Sequence, residues 1–181
     1  MEQKQSKTNV REMALIALMA AVTCILGPLS VPIGVVPISL TNFAIYLAIY
    51  VLGCRRGTIS YIVYLLLGLV GLPAFSSGVG KLFGPTGGYL IGFIFMALIC
   101  GFAIDRFEAK LIPSMIGMIL GTIVCYLFGT GWLAYQAGMK FYQALAAGVL
   151  PFIVGDLVKM IICAVVGPQI RRRLEQAGLV H

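Results

Sequence analysis

Two charged side chains stand three positions apart in an apolar segment near the end of the chain. The segment PFIVGDLVKMIICAVVG carries Asp156 and Lys159, and this spacing places both on one face of a helix. A charge at the bilayer centre costs about 2.5 to 3.5 kcal/mol, so such residues usually face a cavity or a bundle interior. The pair offers an acceptor and a donor, which suits a small ligand with N–H groups and a carbonyl or carboxylate. The alternative is a mutually neutralising pair that only orients helices.

The remaining ionisable residues do not form a hydrolytic site. The only histidine is His181, which argues against a histidine metal site or a Ser-His-Asp triad. No second carboxylate is placed for general acid and base work, because the others fall in segments that we assign to the cytoplasmic side: Glu2, Glu12, Asp105, Glu108 and Glu175. We therefore expect no catalytic residues, no metal ligands and no cofactor.

The composition is that of an integral membrane protein. Of the 181 residues 60% are hydrophobic and 10% are charged, whereas soluble domains carry about a quarter charged residues. Six apolar blocks are long enough to be transmembrane helices, namely residues 10–26, 38–53, 57–71, 86–104, 112–132 and 150–170. The sequence predicts an all-α, single-domain protein over residues 1–181, with a cytoplasmic tail at 1–9 and a basic cytoplasmic tail at 171–181.

The positive charges predict the orientation of the chain. Cytoplasmic loops carry the excess of Lys and Arg, and one side of the six-helix topology holds most of them: Lys4, Lys7, Arg11, Arg55, Arg56, Arg106, Lys110, Arg171, Arg172 and Arg173. Both termini are then cytoplasmic, and the outer side holds only Lys81 and Lys140. The net charge of +7 marks a membrane surface rather than a nucleic-acid site.

A glycine-rich stretch, GLPAFSSGVGKLFGPTGGYLIGF, joins the third and fourth blocks. It is not a nucleotide motif, because Leu82 follows Lys81 where a phosphate-binding loop needs Ser or Thr, and Phe83 replaces the last glycine of a dinucleotide fingerprint. Irregular backbone at membrane depth is tolerated only where protein buries it or where it lines a cavity. We expect a pocket-lining loop on the outer face.

The first apolar block carries small residues at helical spacing. Ala17 and Ala21 form a small-xxx-small pair, which lets another helix approach closely. This face either packs inside the protein or docks to a separate membrane subunit.

Four motifs together resemble a known family. They are VPISL at 36–40, GLPAF at 71–75, GPTGGYLIGF at 84–93 and GDLVK at 155–159. They are similar to those of the BioY family, the biotin-specific substrate-binding (S) components of energy-coupling factor (ECF) transporters. The resemblance implies a six-helix protein of the prokaryotic cell membrane that takes biotin into an outward-facing pocket. It also implies a coupling module with a transmembrane scaffold subunit and two ATPase subunits.

The resemblance implies roles for individual residues. Asp156 and Lys159 would contact biotin, while Ala17 and Ala21 would contact the scaffold. Further candidates for ligand contact are the outer cations Lys81 and Lys140 for the carboxylate, Ser76, Ser77 and Tyr89 as hydrogen-bond partners, and Phe75 as an apolar wall. Where the family commonly has Gln after VPISL, this chain has Thr41 and Asn42, and either Asn42 or Thr41 is a candidate substitute.

Two other functions compete with biotin binding. The first is an S component for another vitamin or a biotin precursor, and the second is a small membrane enzyme or a structural bundle with a buried ion pair. Identification of the small molecule released on denaturing the protein would discriminate among them.

Overall fold

The computed structural model describes residues 2–31, 36–75 and 78–179, with side chains from Val10 onward. These residues form seven helices and one antiparallel hairpin. In chain order the elements are α1 (Glu2–Leu26), β1 (Ser30–Val31), β2 (Ile38–Ser39), α2 (Thr41–Leu69), α3 (Gly80–Phe83), α4 (Gly87–Arg106), α5 (Leu111–Ala137), α6 (Phe141–Gly148) and α7 (Ile153–Gln176).

The second and third predicted blocks form one bent element. Within α2, Gly53 has φ 79° and ψ 176°, a conformation that is essentially restricted to glycine. The chain restarts as a helix immediately afterwards, and the Asp105 carboxylate accepts a hydrogen bond from the Cys54 N–H at 2.7 Å. Asp105 thereby satisfies one of the backbone donors that a helix start leaves without a partner.

The structure adds helical ends and a short hairpin to the predicted architecture. Helix α1 begins at Glu2 and α7 continues to Gln176, so most of the predicted tails at 1–9 and 171–181 is helical. The protein is also not strictly all-α, because Ser30 pairs with Ser39 and Val31 with Ile38 in the hairpin. Backbone hydrogen bonds of a helix can continue through charged residues as well as apolar ones. Hydropathy therefore located the apolar part of each helix but not its ends.

Apolar side chains lie on the outside of the bundle as well as inside it. Helices α4, α5 and α7 are, among the described residues, long and apolar enough to cross a membrane. Exposed residues on α5 and α7 include Ile116, Leu120, Leu127, Val154, Val158 and Ile161. This is the surface of a multi-pass membrane protein.

Buried tyrosines hold the centre of the bundle together. Tyr46, Tyr50, Tyr61 and Tyr64 are almost fully buried, and the Tyr61 hydroxyl donates to the carbonyl of Leu90 on α4 at 2.8 Å. In lipid, helices associate through close packing and interhelical hydrogen bonds rather than through apolar burial. The Tyr46 and Tyr61 hydroxyls therefore supply contacts between helices that aliphatic side chains cannot.

The glycine-rich loop is anchored to the end of α5. The Trp132 indole N–H donates to the carbonyl of Gly84 at 2.9 Å, and the Gln136 amide donates to that of Phe83 at 2.7 Å. The loop contains the short helix α3, which carries Lys81. These contacts place α3 over the end of the bundle where α7 begins.

We expect Gly53→Ala to destabilise the protein by about 1 to 3 kcal/mol, because Ala is strained at this backbone conformation. A Cβ here would also lie 3.1 Å from an Asp105 carboxylate oxygen. The thermal unfolding midpoint in detergent measures the loss. The matched control is Gly131→Ala on α5, where an added Cβ meets nothing within 4 Å; equal midpoints for the two variants would contradict the assigned role of Gly53.

Candidate functional site

A cavity opens at the end of the bundle that carries the hairpin and α3. Apolar walls come from Val36, Pro37, Leu90, Phe93 and Phe152. The polar lining consists of Ser39, Thr41, Asn42, Lys81, Thr86, Tyr89, Thr122, Tyr126, Asp156 and Lys159. A cavity that combines apolar walls with convergent polar groups is the usual form of a small-molecule site.

The predicted pair from the sixth apolar block lies in this cavity. Asp156 and Lys159 are 6% and 9% exposed, and the Lys159 Nζ lies 3.0 Å from the Asp156 Oδ1. Asp156 is in the first turn of α7, where the positive end of the helix dipole favours a carboxylate. The two charges neutralise each other inside the protein, and both line the space that a ligand would occupy.

Lys159 uses all of its donors on the protein. An ammonium group has three N–H donors, and here they reach the Ser39 carbonyl at 2.7 Å, the Asn42 Oδ1 at 3.1 Å and the Asp156 Oδ1 at 3.0 Å. The lysine therefore ties the hairpin and the start of α2 to α7. A ligand can accept a hydrogen bond from Lys159 only by replacing or sharing one of these acceptors.

Asp156 and Asn42 keep hydrogen-bonding capacity for a ligand. The Tyr126 hydroxyl donates to the Asp156 Oδ2 at 2.6 Å, so each carboxylate oxygen has one protein partner and retains a lone pair. The Asn42 Oδ1 faces Lys159 and also accepts from the Phe43 N–H at 3.0 Å. The Asn42 amide N–H2 donates to no described residue, so one acceptor and one donor remain beside each other in the cavity.

Lys81 brings a second positive charge to the cavity from α3. The residue is 8% exposed, and burial lowers the pKa of its ammonium below the ordinary value of 10.5. The lining thus contains two cations, Lys81 and Lys159, and the single carboxylate of Asp156. Because the cations of this lining outnumber its carboxylate, the cavity favours an anionic ligand over a cationic one.

Of the other residues predicted to contact the ligand, some line the cavity and some do not. Tyr89 lines the cavity, but its hydroxyl donates to the Gly148 carbonyl at 3.0 Å, so it offers a ring face rather than a free donor. Phe75 is buried in the core against Tyr64, with ring centroids 5.4 Å apart, and it does not line the cavity. Lys140 is exposed at the start of α6, outside the cavity. Ser76 and Ser77 lie outside the described residues.

Sequence reasoning missed the face that α5 contributes. Thr122 and Tyr126 line the cavity, and the Tyr46 hydroxyl lies 2.6 Å from the Thr122 hydroxyl. Gly129 continues this face one turn later, and a Cβ there would lie 2.2 Å from the Tyr89 ring. The sequence signal was a stripe of polar and small residues, which recur at helical spacing inside the apolar block at 112–132.

Comparison with known proteins places the chain in a family. The family model described as BioY matches residues 1–176. The chain belongs to the BioY family. A biotin transporter BioY2 from Lactococcus lactis is 36% identical over 94% of this chain and 96% of its own length, and a probable biotin transporter BioY from Pyrococcus horikoshii is 38% identical over 90% and 98%.

A solved structure extends the BioY likeness to the fold. It is described as the S-component for biotin from an ECF-type ABC transporter, and it matches with a TM-score of 0.83 and 33% sequence identity. The match covers 92% of this chain and 93% of that one. The arrangement of helices around the cavity is therefore the BioY arrangement.

We expect the Asp156–Lys159 pair to show strong energetic coupling. Asp156→Asn or Lys159→Met alone leaves a buried charge without its partner and should cost about 3 to 5 kcal/mol of unfolding free energy, whereas a matched apolar replacement of both is much less costly. The double variant should therefore be more stable than the sum of the two single losses. Unfolding of the ligand-free protein measures all three.

The matched control for this coupling is Glu175→Gln on the same helix. Glu175 pairs with Arg171 at 3.0 Å, but its side chain is 43% exposed, and exposed pairs contribute about 0 to 1 kcal/mol. Additive losses in the Asp156 and Lys159 variants would refute the coupling.

Proposed function

We propose that this BioY protein is the biotin-binding subunit of an ECF-type transporter. It binds and delivers the vitamin and catalyses no reaction of its own, as the transporter names of its relatives indicate. The observation that carries the proposal is the buried cavity, which is lined by the free acceptor of Asp156, the free donor of Asn42 and the ammonium of Lys81.

The hydrogen-bonding groups of the cavity complement the ureido ring of biotin. That ring has two N–H donors and one carbonyl acceptor. Asp156 accepts from the N–H groups, and the Asn42 amide donates to the carbonyl. Tyr126 and Lys159 hold the Asp156 carboxylate from both oxygens, so its orientation is set before the ligand arrives. Such preorganisation reduces the cost of binding.

The remaining groups complement the rest of the molecule. The apolar thiophane ring and valerate chain lie against Phe93, Phe152 and the ring face of Tyr89. The biotin carboxylate pairs with Lys81, because the three donors of Lys159 are used within the protein. A neutral ligand would not form this ion pair with the buried Lys81 ammonium.

The proposal includes a membrane topology for the chain. The chain crosses the prokaryotic cytoplasmic membrane six times, with residues 41–52 and 54–69 of α2 as two of the crossings. Arg56 pairs with Glu12 and Arg171 with Asp105, which brings basic residues of α2 and α7 together with acidic residues of α1 and α4 at the end opposite the ligand cavity. By the positive-inside rule this end, with both termini, is cytoplasmic and the cavity faces outward.

A scaffold subunit, together with two ATPase subunits, couples this protein to ATP hydrolysis. The docking face is on α1, where Ala17 and Ala21 are both exposed. They form one stripe with Val10, Met13, Ala14, Leu18 and Ile25, which are also exposed. Small residues in the middle of such a stripe allow the close approach of a partner helix.

We expect the purified protein to bind biotin more tightly than the neutral biotinamide, and Lys81→Met to remove that preference. A hydrogen bond to a charged group is worth about 1.5 to 3 kcal/mol, so the variant should lose about 10- to 100-fold in biotin affinity and much less for biotinamide. Biotin affinity should also fall as pH rises through the lowered pKa of Lys81. Isothermal titration calorimetry measures each case.

The matched control for Lys81 is Lys140→Met, an exposed outer lysine outside the cavity. Equal losses in the two lysine variants would contradict the assignment of the carboxylate to Lys81. No heat of binding with intact, biotin-free protein would overturn biotin as the ligand, and displacement by another vitamin instead would favour a different S component.

We expect Ala17→Leu and Ala21→Leu to block biotin uptake in cells while leaving the biotin affinity of the purified protein unchanged. A larger side chain on this stripe prevents close helix approach. Ala146→Leu, an exposed alanine on α6, is the matched control and should transport normally. Normal uptake by both α1 variants would place the docking face elsewhere.

A further inference from the structure

A second polar cavity lies at the end of the bundle opposite the ligand site. Its charged lining consists of Glu12 on α1, Arg55 and Arg56 at the bend of α2, Asp105 at the end of α4 and Arg171 on α7. We call it the arginine cavity. It shares no residue with the ligand cavity, so its chemistry requires a separate explanation.

Two of its three guanidinium groups have carboxylate partners. Arg56 pairs with Glu12 at 2.5 Å, and Arg171 pairs with Asp105 at 3.3 Å and with Glu175 at 3.0 Å. Arg55 forms neither an ion pair nor a hydrogen bond with any residue that the structure describes. Its five N–H donors are therefore available to a ligand in the cavity.

The bend at Gly53 adds further attraction for an anion. The helix restarts at Cys54, whose N–H is taken by Asp105, and the arginines follow in its first turn. The first turn of a helix presents unpaired backbone N–H groups and the positive end of the helix dipole. Arg55 is exposed beside this bend and adds its charge and side-chain donors to the backbone donors that Asp105 leaves unused.

The surroundings match a membrane-surface ligand. Apolar residues Ile16, Val51 and Ile59 line the same cavity, and Ile59 is partly exposed on the outside of the bundle. The cavity lies where the apolar run of α7 gives way to Arg171 and where α4 ends at Arg106. A polar floor with an apolar wall at this level suits a charged headgroup that continues into acyl chains, and guanidinium is well matched to phosphate geometry.

We propose that the arginine cavity binds a phosphate group, with Arg55 as its principal ligand. The phosphate belongs either to the headgroup of an anionic phospholipid or to free phosphate, and the two sources share this chemistry. Binding joins α1, the bend of α2 and α7 at the end of the bundle away from the ligand.

The test measures the thermal unfolding midpoint of the detergent-purified protein during titration with phosphatidylglycerol, phosphatidylcholine or inorganic phosphate at matched ionic strength. The variants are Arg55→Gln and, as a control of equal charge change, Arg173→Gln, an exposed arginine on α7 outside the cavity. Phosphatidylglycerol should raise the midpoint of the wild type and of Arg173→Gln. In Arg55→Gln the half-saturating lipid concentration should rise about tenfold or more.

The other additives identify the source of the phosphate. A response to phosphatidylglycerol alone assigns the site to lipid, and an equal response to inorganic phosphate assigns it to free phosphate. Equal responses of the two variants, or equal stabilisation by phosphatidylcholine and phosphatidylglycerol, would overturn the proposal. Arg55→Lys should bind with intermediate strength because it keeps the charge but loses the planar fork of donors. Biotin affinity should be the same in every variant, which separates this site from the ligand cavity.

Discussion

A lysine that is buried among apolar helices needs hydrogen-bond acceptors for its three N–H donors and a negative charge to neutralise it. The cavity end of the structure depends on how Lys159 meets that requirement. Lys159 meets it with the Asp156 carboxylate, the Ser39 carbonyl and the Asn42 side chain. These partners come from α7, the hairpin and the start of α2. Because an unsatisfied charge is so costly in this setting, the three elements hold one arrangement, and the cavity between them is formed before a ligand binds.

At the opposite end of the bundle, the bend in α2 also leaves polar groups that need partners. Gly53 interrupts α2, and the Asp105 carboxylate both caps the new helix start and pairs with Arg171. Between the two polar ends, tyrosine side chains supply the interhelical hydrogen bonds. Charge is thus confined to the two ends of the bundle, where water or ligand can compensate it, and the middle depends on packing.

Much of the cavity lining was predictable from local sequence. Asp156 and Lys159 were identified because charge is rare in apolar blocks, and the glycine-rich loop because irregular backbone needs a cavity. Tyr126 was missed because a tyrosine in an apolar helix does not reveal which way it faces. Phe75 was assigned to the ligand, but it packs against Tyr64, since an aromatic residue in a loop fits a core as well as a pocket.

The sequence by itself determined the membrane character, the BioY family and which buried charged residues need partners. Hydropathy, sequence motifs and charge are local properties, so they can be read along the chain. Only the tertiary structure decided how the charges are shared. It showed that the donors of Lys159 are used by the protein, that Asn42 and Asp156 keep one donor and one acceptor, and that Lys81 lines the same cavity. Those outcomes depend on distances between residues more than a hundred positions apart in the chain, which no local pattern records.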